Sequence, residues 1–219
     1  MRSNALLLGL GMIAGAASLT ACGSADAPAA QGALTKADGG GRAVASAALK
    51  TADGAPLGTV EFFAAGEATR VSARITSLPA GAAANAFHGM HLHANADPAN
   101  GEGCVADPAK PSNTWFTSAD GHWNAPGATG GHGQHSGDLT PVLVSAQGTA
   151  TVTSETGRID PKLLPGLVVI FHAGPDNLGN IPVGAAPEQY TANSPAALDV
   201  TAKTGNAVDR LACGVVVAA

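Results

Sequence analysis

From residue 42 onward, apolar and polar residues alternate, or β-branched residues crowd together, in short runs. RAVASAALK (42–50), GTVEFFAA (58–65) and ATRVSARITSL (68–78) open the series. FHGMHLH (87–93), PVLVSAQ (141–147), GTATVTS (148–154), LVVIFHA (167–173) and CGVVVAA (213–219) continue it. Period-two alternation puts every second side chain on one face, and turn signals such as DGAP and LPAG separate the runs. Helical periodicity is weak throughout. The pattern predicts an all-β domain of about eight antiparallel strands in a sandwich or barrel. Two glycine- and proline-rich stretches, 95–140 and 173–210, exceed ordinary connections, and long loops in compact domains tend to carry function.

The start of the chain reads differently. Arg2 precedes LLLGLGMIAGAASL, an apolar run too short for a comfortable span, and TAC follows. This is the layout of a secretory signal over residues 1–21. The ending LTAC resembles a bacterial lipoprotein signal, which would make Cys22 the lipidated N-terminus of an exported, membrane-anchored protein of the cell envelope or periplasm. Residues 22–41, rich in Gly, Ala and polar groups, read as a flexible tether, with the domain spanning 42–219.

Composition narrows the choices further. The 219 residues suffice for one domain with a real core, and Gly 29, Pro 14 and only 4 % aromatics suit loop-rich β structure. A formal net charge of −5 argues against nucleic acid as a partner. Of three cysteines, setting Cys22 aside leaves Cys104 and Cys213, an even pair that an exported protein is expected to join as a disulfide. Two free buried thiols are the alternative.

All seven histidines lie between His88 and His172, three of them in FHGMHLH. On a strand, His91 and His93 project from one face while Leu92 points to the other, so two imidazoles leave one rigid element together. GHWNAP adds His122, GGHGQHSGDL adds His132, His135 and Asp138, and VVIFHAG adds His172. Imidazoles and a carboxylate gathered in this way are donors a metal cation uses.

In this order GMHLH, GHWNAPG, HSGDL, VIFHAGPDNLGN and KTGNAVDRLACGVV resemble the successive signatures of the copper–zinc superoxide dismutases. The resemblance covers roughly residues 42–219 and implies an eight-stranded Greek-key β-barrel. It implies copper ligation by His91, His93, His122 and His172, and zinc ligation by His122, His132, His135 and Asp138, with His122 shared. His88 would brace the site structurally, and Asp176 would link copper and zinc ligands through hydrogen bonds. Arg210 would flank the copper opening and, with Lys203, draw in the superoxide anion. His122 and Arg210 would then be the catalytic pair. The zinc half departs from the family: only two residues separate His132 from His135, where a longer segment is usual.

The expected activity is dismutation of superoxide to oxygen and hydrogen peroxide on a lipid-tethered domain. A non-catalytic copper- or zinc-buffering lipoprotein is the competing reading; it needs the histidines but not Arg210. Monomer and homodimer both fit the sequence.

Overall fold

The structure is a computed structural model and describes residues 41–178, 203, 205–207 and 209–219. The proposed signal, Cys22 and nearly all of the tether lie outside the described residues. Nine strands occur among those described: β1 (Ala45–Thr51), β2 (Pro56–Ala65), β3 (Ala68–Ile75), β4 (Ala86–His88), β5 (Met90–His93), β6 (Val142–Val144), β7 (Ala150–Thr156), β8 (Val168–His172) and β9 (Arg210–Ala218). Seven form one antiparallel sheet in the order β5-β8-β9-β1-β2-β3-β7, and β4 pairs with β6 in a small second sheet.

The alternation in the sequence reappears as burial. Along β1, Ala45, Ala47 and Leu49 are buried; along β3, Val71, Ala73 and Ile75 are. These residues join Leu57, Val60, Phe62, Met90, Leu92 and Val216 in the main core. Apolar area removed from water on this inner face is the dominant favourable term in holding the sheet over its core.

The run FHGMHLH, expected as one strand, is two. His88 pairs with Val142 in the small sheet, whereas Met90 pairs with Phe171 in the large one. Gly89 makes the switch. A Cβ there would sit 2.8 Å from the Ala207 side chain, so only a glycine lets the two segments and the 207 region come together.

Strands β5 and β8 are buried on both faces. Met90 and Leu92 point into the main core. Behind the strands a second cluster of Phe116, Ala119, Val168, Ile170 and Cys213 lies under the 95–120 loop. The Cys104–Cys213 disulfide, 109 residues apart in sequence, ties that loop to β9 as expected.

Candidate metal centre

Strand β5 is the edge of the large sheet, and its open edge gathers the site. Trp123 N–H donates to Leu92 O at 2.8 Å, and Ala94 N–H to Gly121 O at 3.0 Å. Leu92 N–H donates to Gly137 O at 2.8 Å, and Leu139 N–H to Met90 O at 3.2 Å. Unpaired strand edges bind passing backbone, and here both loops are captured that way. The result sets His122 opposite His93 and Asp138 opposite His91.

The opposite neighbour of β5 is β8, which ends at His172. A register shift between Phe171 and His172 accompanies the bond from His172 N–H to Gly89 O at 2.9 Å. His88 lies behind this turn with Nδ1 2.8 Å from His172 O, Nε2 2.9 Å from Ala83 O, and its ring stacked on Phe171. Its contacts are to backbone and to Phe171, those of a brace.

Six of the seven imidazoles converge. Ligand-capable atoms of His91, His93, His122 and His172 lie within 4.8 Å of one another, as do those of His91, His122, His132 and Asp138. The tautomers follow from the partners. His91 Nε2–H donates to Asp176 Oδ2 at 2.8 Å, which leaves Nδ1 with its lone pair. His93 Nδ1–H donates to Asp120 O at 2.8 Å, which leaves Nε2. Those two remaining nitrogens, His91 Nδ1 and His93 Nε2, are buried without a hydrogen-bond partner. A buried polar atom left unpaired costs about 1–3 kcal/mol, and a cation between them removes that cost. With Nε2 given to Asp176, His91 has one nitrogen left and can serve only one of the two sets.

The second set surrounds Asp138. Its Oδ1 lies 3.1 Å from His122 Nδ1, 3.3 Å from His132 Nδ1 and 3.3 Å from His135 Nδ1. His132 Nδ1 and His122 Nδ1 are 3.2 Å apart. A tetrahedron with metal–ligand bonds of about 2.0 Å has edges of about 3.3 Å, so these donors already stand at zinc spacing. The other carboxylate oxygen, Oδ2, accepts from Gly133 N–H at 2.6 Å and His135 N–H at 3.0 Å. One oxygen is held by the loop and the other is presented to the imidazoles. Only two residues separate His132 from His135, yet both rings reach Asp138.

Asp176 joins the two sets. Its second oxygen accepts from His132 Nε2–H at 2.6 Å while the first holds His91. Burial opposes ionisation of both aspartates, but hydrogen bonds from the histidines outweigh it and hold their carboxyls below the usual range. Burial also works against a charge on His132; Asp138 and Asp176 reverse that and raise it to about 9. For His122 burial prevails and its pKa falls to about 4, Asp138 notwithstanding. Burial, with Arg210 and the neighbouring imidazoles, takes His93 well below its ordinary value.

Arg210 is partly buried at the start of β9. Nη1 donates to Phe116 O, and Nη2 to Asp120 O at 2.5 Å. Burial lowers its pKa and the Asp120 carboxylate opposes that; a guanidinium remains charged regardless. The neighbouring Asp209 is engaged by the Ser112 hydroxyl. Lys203 is exposed.

Three residues have parts in the site that the motifs did not explain, and two of them, Arg158 and Asp120, lie outside the motifs. Gly205 packs against the His132–Asp176 bond: a Cβ there would fall 2.1 Å from His132 Nε2 and 2.2 Å from Asp176 Oδ1. Arg158, beyond β7, donates to Gly133 O at 3.2 Å and to Asp138 O at 2.9 Å, spanning the zinc-side loop. Asp120 offers its carbonyl to both His93 and Arg210. Gly205 acts through its missing side chain, Asp120 through its carbonyl, and Arg158 through side-chain bonds to backbone carbonyls; a ligand motif encodes none of these.

Fold and site together define an all-β protein with two adjoining groups of side chains able to hold metal ions, His91 and His122 being common to both. Comparison with known proteins is specific. The family model for copper/zinc superoxide dismutase matches residues 57–216. A copper–zinc superoxide dismutase of Mycolicibacterium paratuberculosis is 35 % identical over 176 residues, covering 77 % of this chain and 71 % of the relative. That of Mycobacterium tuberculosis is 35 % identical over 174 residues, covering 77 % and 68 %. Among solved structures, a double mutant of a superoxide dismutase-like protein from Bacillus subtilis aligns with TM-score 0.51 at 22 % identity, covering 78 % of this chain and 95 % of that one. The clock protein EA4 aligns with TM-score 0.54 at 24 % identity, over 82 % and 97 %. These two likenesses concern the fold alone.

The chain belongs to the copper/zinc superoxide dismutase family. Its class is that enzyme's, and its cofactors are copper and zinc.

Proposed function

We propose that this protein dismutates superoxide at a copper centre held by His91, His93, His122 and His172, joined through His122 to zinc held by His122, His132, His135 and Asp138. The observation that carries this reading is that His91 and His122 are common to both donor groups: His91 has given its Nε2 to Asp176, whereas His122, with Nδ1 3.1 Å from Asp138, keeps a second ring nitrogen for the other group. Copper supplies one-electron exchange with superoxide, and zinc a fixed positive charge without redox chemistry.

The chain's own groups do the rest. Two superoxide anions and two protons become one dioxygen and one hydrogen peroxide. His122 Nε2 is the atom at which one of those protons would be taken up and passed on. Asp176 fixes the ring orientation of His91 and His132, which raises their ligand basicity. Arg210, with Lys203 at greater exposure, provides the local positive field that a chain of net charge −5 lacks in bulk.

The domain, residues 42–219, stands on a tether from a lipidated Cys22 after removal of residues 1–21, in the cell envelope. The short apolar leader and the LTAC ending support this, as does a disulfide suited to an oxidising compartment. Among the described residues no helix is long and apolar enough to cross a membrane.

Metal analysis with a dismutation assay tests the centre: one copper and one zinc per chain with turnover far above free copper is expected. Tight metal binding without turnover would leave a metal-buffering role instead. Mass spectrometry of the N-terminus tests the anchor. Cys22→Ala should release the protein from the membrane fraction; persistence there would overturn the tether.

A further inference from the structure

Asp120 occupies a backbone conformation that side chains avoid. Its φ of 63° and ψ of −154° fall in the region held almost entirely by glycine, where a Cβ costs about 1–3 kcal/mol. It closes the short 3-10 turn Thr117–Ala119, whose opening residue, Phe116, is also left-handed at φ 55°. Both carbonyls exposed by these conformations serve the site. Phe116 O and Asp120 O together hold the two terminal nitrogens of Arg210, and Asp120 O also accepts from His93 Nδ1–H. The Asp120 side chain is fully engaged on the other side of the peptide. Oδ2 accepts from Ala96 N–H at 2.6 Å and Asp97 N–H at 2.9 Å, and Oδ1 from the Asn100 side-chain amide. The strained carbonyl is thus aimed by a carboxylate that grips the loop following the two β5 histidines.

We infer that Asp120 is a positioning residue: its carboxylate locks a glycine-type backbone so that one carbonyl orients both His93 and Arg210, while its charge moderates the attraction of Arg210 for anions. This rests on the reading of Arg210 as the anion-drawing residue. The side chain has two separable effects, a hold made by acceptor oxygens and a charge, and substitutions pull them apart.

The test uses the full-length, copper- and zinc-loaded protein with azide as the anion probe, followed by visible absorption, and the metal-free protein for thermal unfolding. Asp120→Asn keeps one side-chain oxygen, enough to accept from both Ala96 and Asp97, places an NH2 where Asn100 would turn its own amide oxygen, and removes the charge. Azide should bind about two- to fivefold tighter at low ionic strength, with the gain vanishing at high salt. Asp120→Ala keeps the strained Cβ and loses the hold. Azide should bind at least about fivefold more weakly, and the metal-free unfolding midpoint should drop by about 4–8 °C. Asp120→Gly loses the hold but relaxes the backbone, so its midpoint should fall less than that of the alanine variant. Equal azide affinity in the parent and Asn variants at low salt would overturn the charge effect; an Ala variant as stable as the parent would overturn the hold, and one as stable as the Gly variant would overturn the strained backbone. If the Ala variant does not fold, the Asn comparison still decides the charge. Loss of Arg210 itself, through Arg210→Ala, separates this from the parent reading. If that variant binds azide as the parent does, the steering role fails first; if it binds weakly while the Asp120 variants change nothing, only the present inference fails.

Discussion

Replacing Arg158 with methionine isolates one device that holds the zinc-side loop. The guanidinium donates to Gly133 O at 3.2 Å and Asp138 O at 2.9 Å, so it spans the five-residue step on which His135 sits. Methionine retains much of the apolar stem and removes both donors. Hydrogen bonds from a charged group contribute about 1.5–3 kcal/mol in shielded settings. Arg158 is exposed, so solvent competition reduces each to about 0.5–1 kcal/mol. The pair then contributes about 1–2 kcal/mol to the ordered loop, or roughly a 5- to 30-fold change in zinc affinity. The cost falls on zinc because the loop ordered by Arg158 carries the Asp138 carboxylate. The assay is zinc loss to a chelator from the fully loaded protein, read beside the absorption of cobalt placed in the zinc centre. Arg158→Lys, which offers a point charge rather than a fork, should recover only part of the loss. Zinc affinity within twofold of the parent in the methionine variant would refute the reasoning.

Three further outcomes are expected. Because His132 has a pKa raised to about 9, it carries a proton below that pH, and zinc must displace it. Zinc affinity should therefore fall about tenfold per pH unit below 9 for this proton, and titration calorimetry should show heats that depend on the buffer's ionisation enthalpy; buffer-independent heats would contradict it. Joint replacement of Cys104 and Cys213 by serine removes a link across 109 residues, worth up to about 5 kcal/mol in the loop-entropy model, and should lower the denaturant midpoint markedly without changing the m-value direction; an unchanged midpoint would mean the loop is held by other contacts. Gly205→Ala places a methyl at 2.1 Å from His132 Nε2, so the His132–Asp176 bond must open and zinc content per chain should drop, while wild-type zinc content would show that the loop moves aside freely.

Much was legible before any coordinates. Period-two alternation located the strands, and H-x-H on a strand placed His91 and His93 on one face with Leu92 in the core. Side-chain alternation is local geometry, so a sequence states it directly. The ordered motifs also named Asp176, which does touch His91 and His132. The division of FHGMHLH at Gly89 was not legible, because it depends on Ala207, more than a hundred residues away, occupying the space a Cβ would need.

The sequence by itself determined the donor inventory: which side chains can ligate and which strand carries two of them. Tertiary structure alone decided how those donors are aimed. The open edge of β5 captures the loops of His122 and Asp138, Arg158 and Asp138 Oδ2 knot the loop that makes a two-residue spacing sufficient, and Asp120 turns one carbonyl toward both His93 and Arg210. Orientation of this kind arises from backbone groups, and backbone groups are the same at every position of a sequence; only the fold says which of them meet.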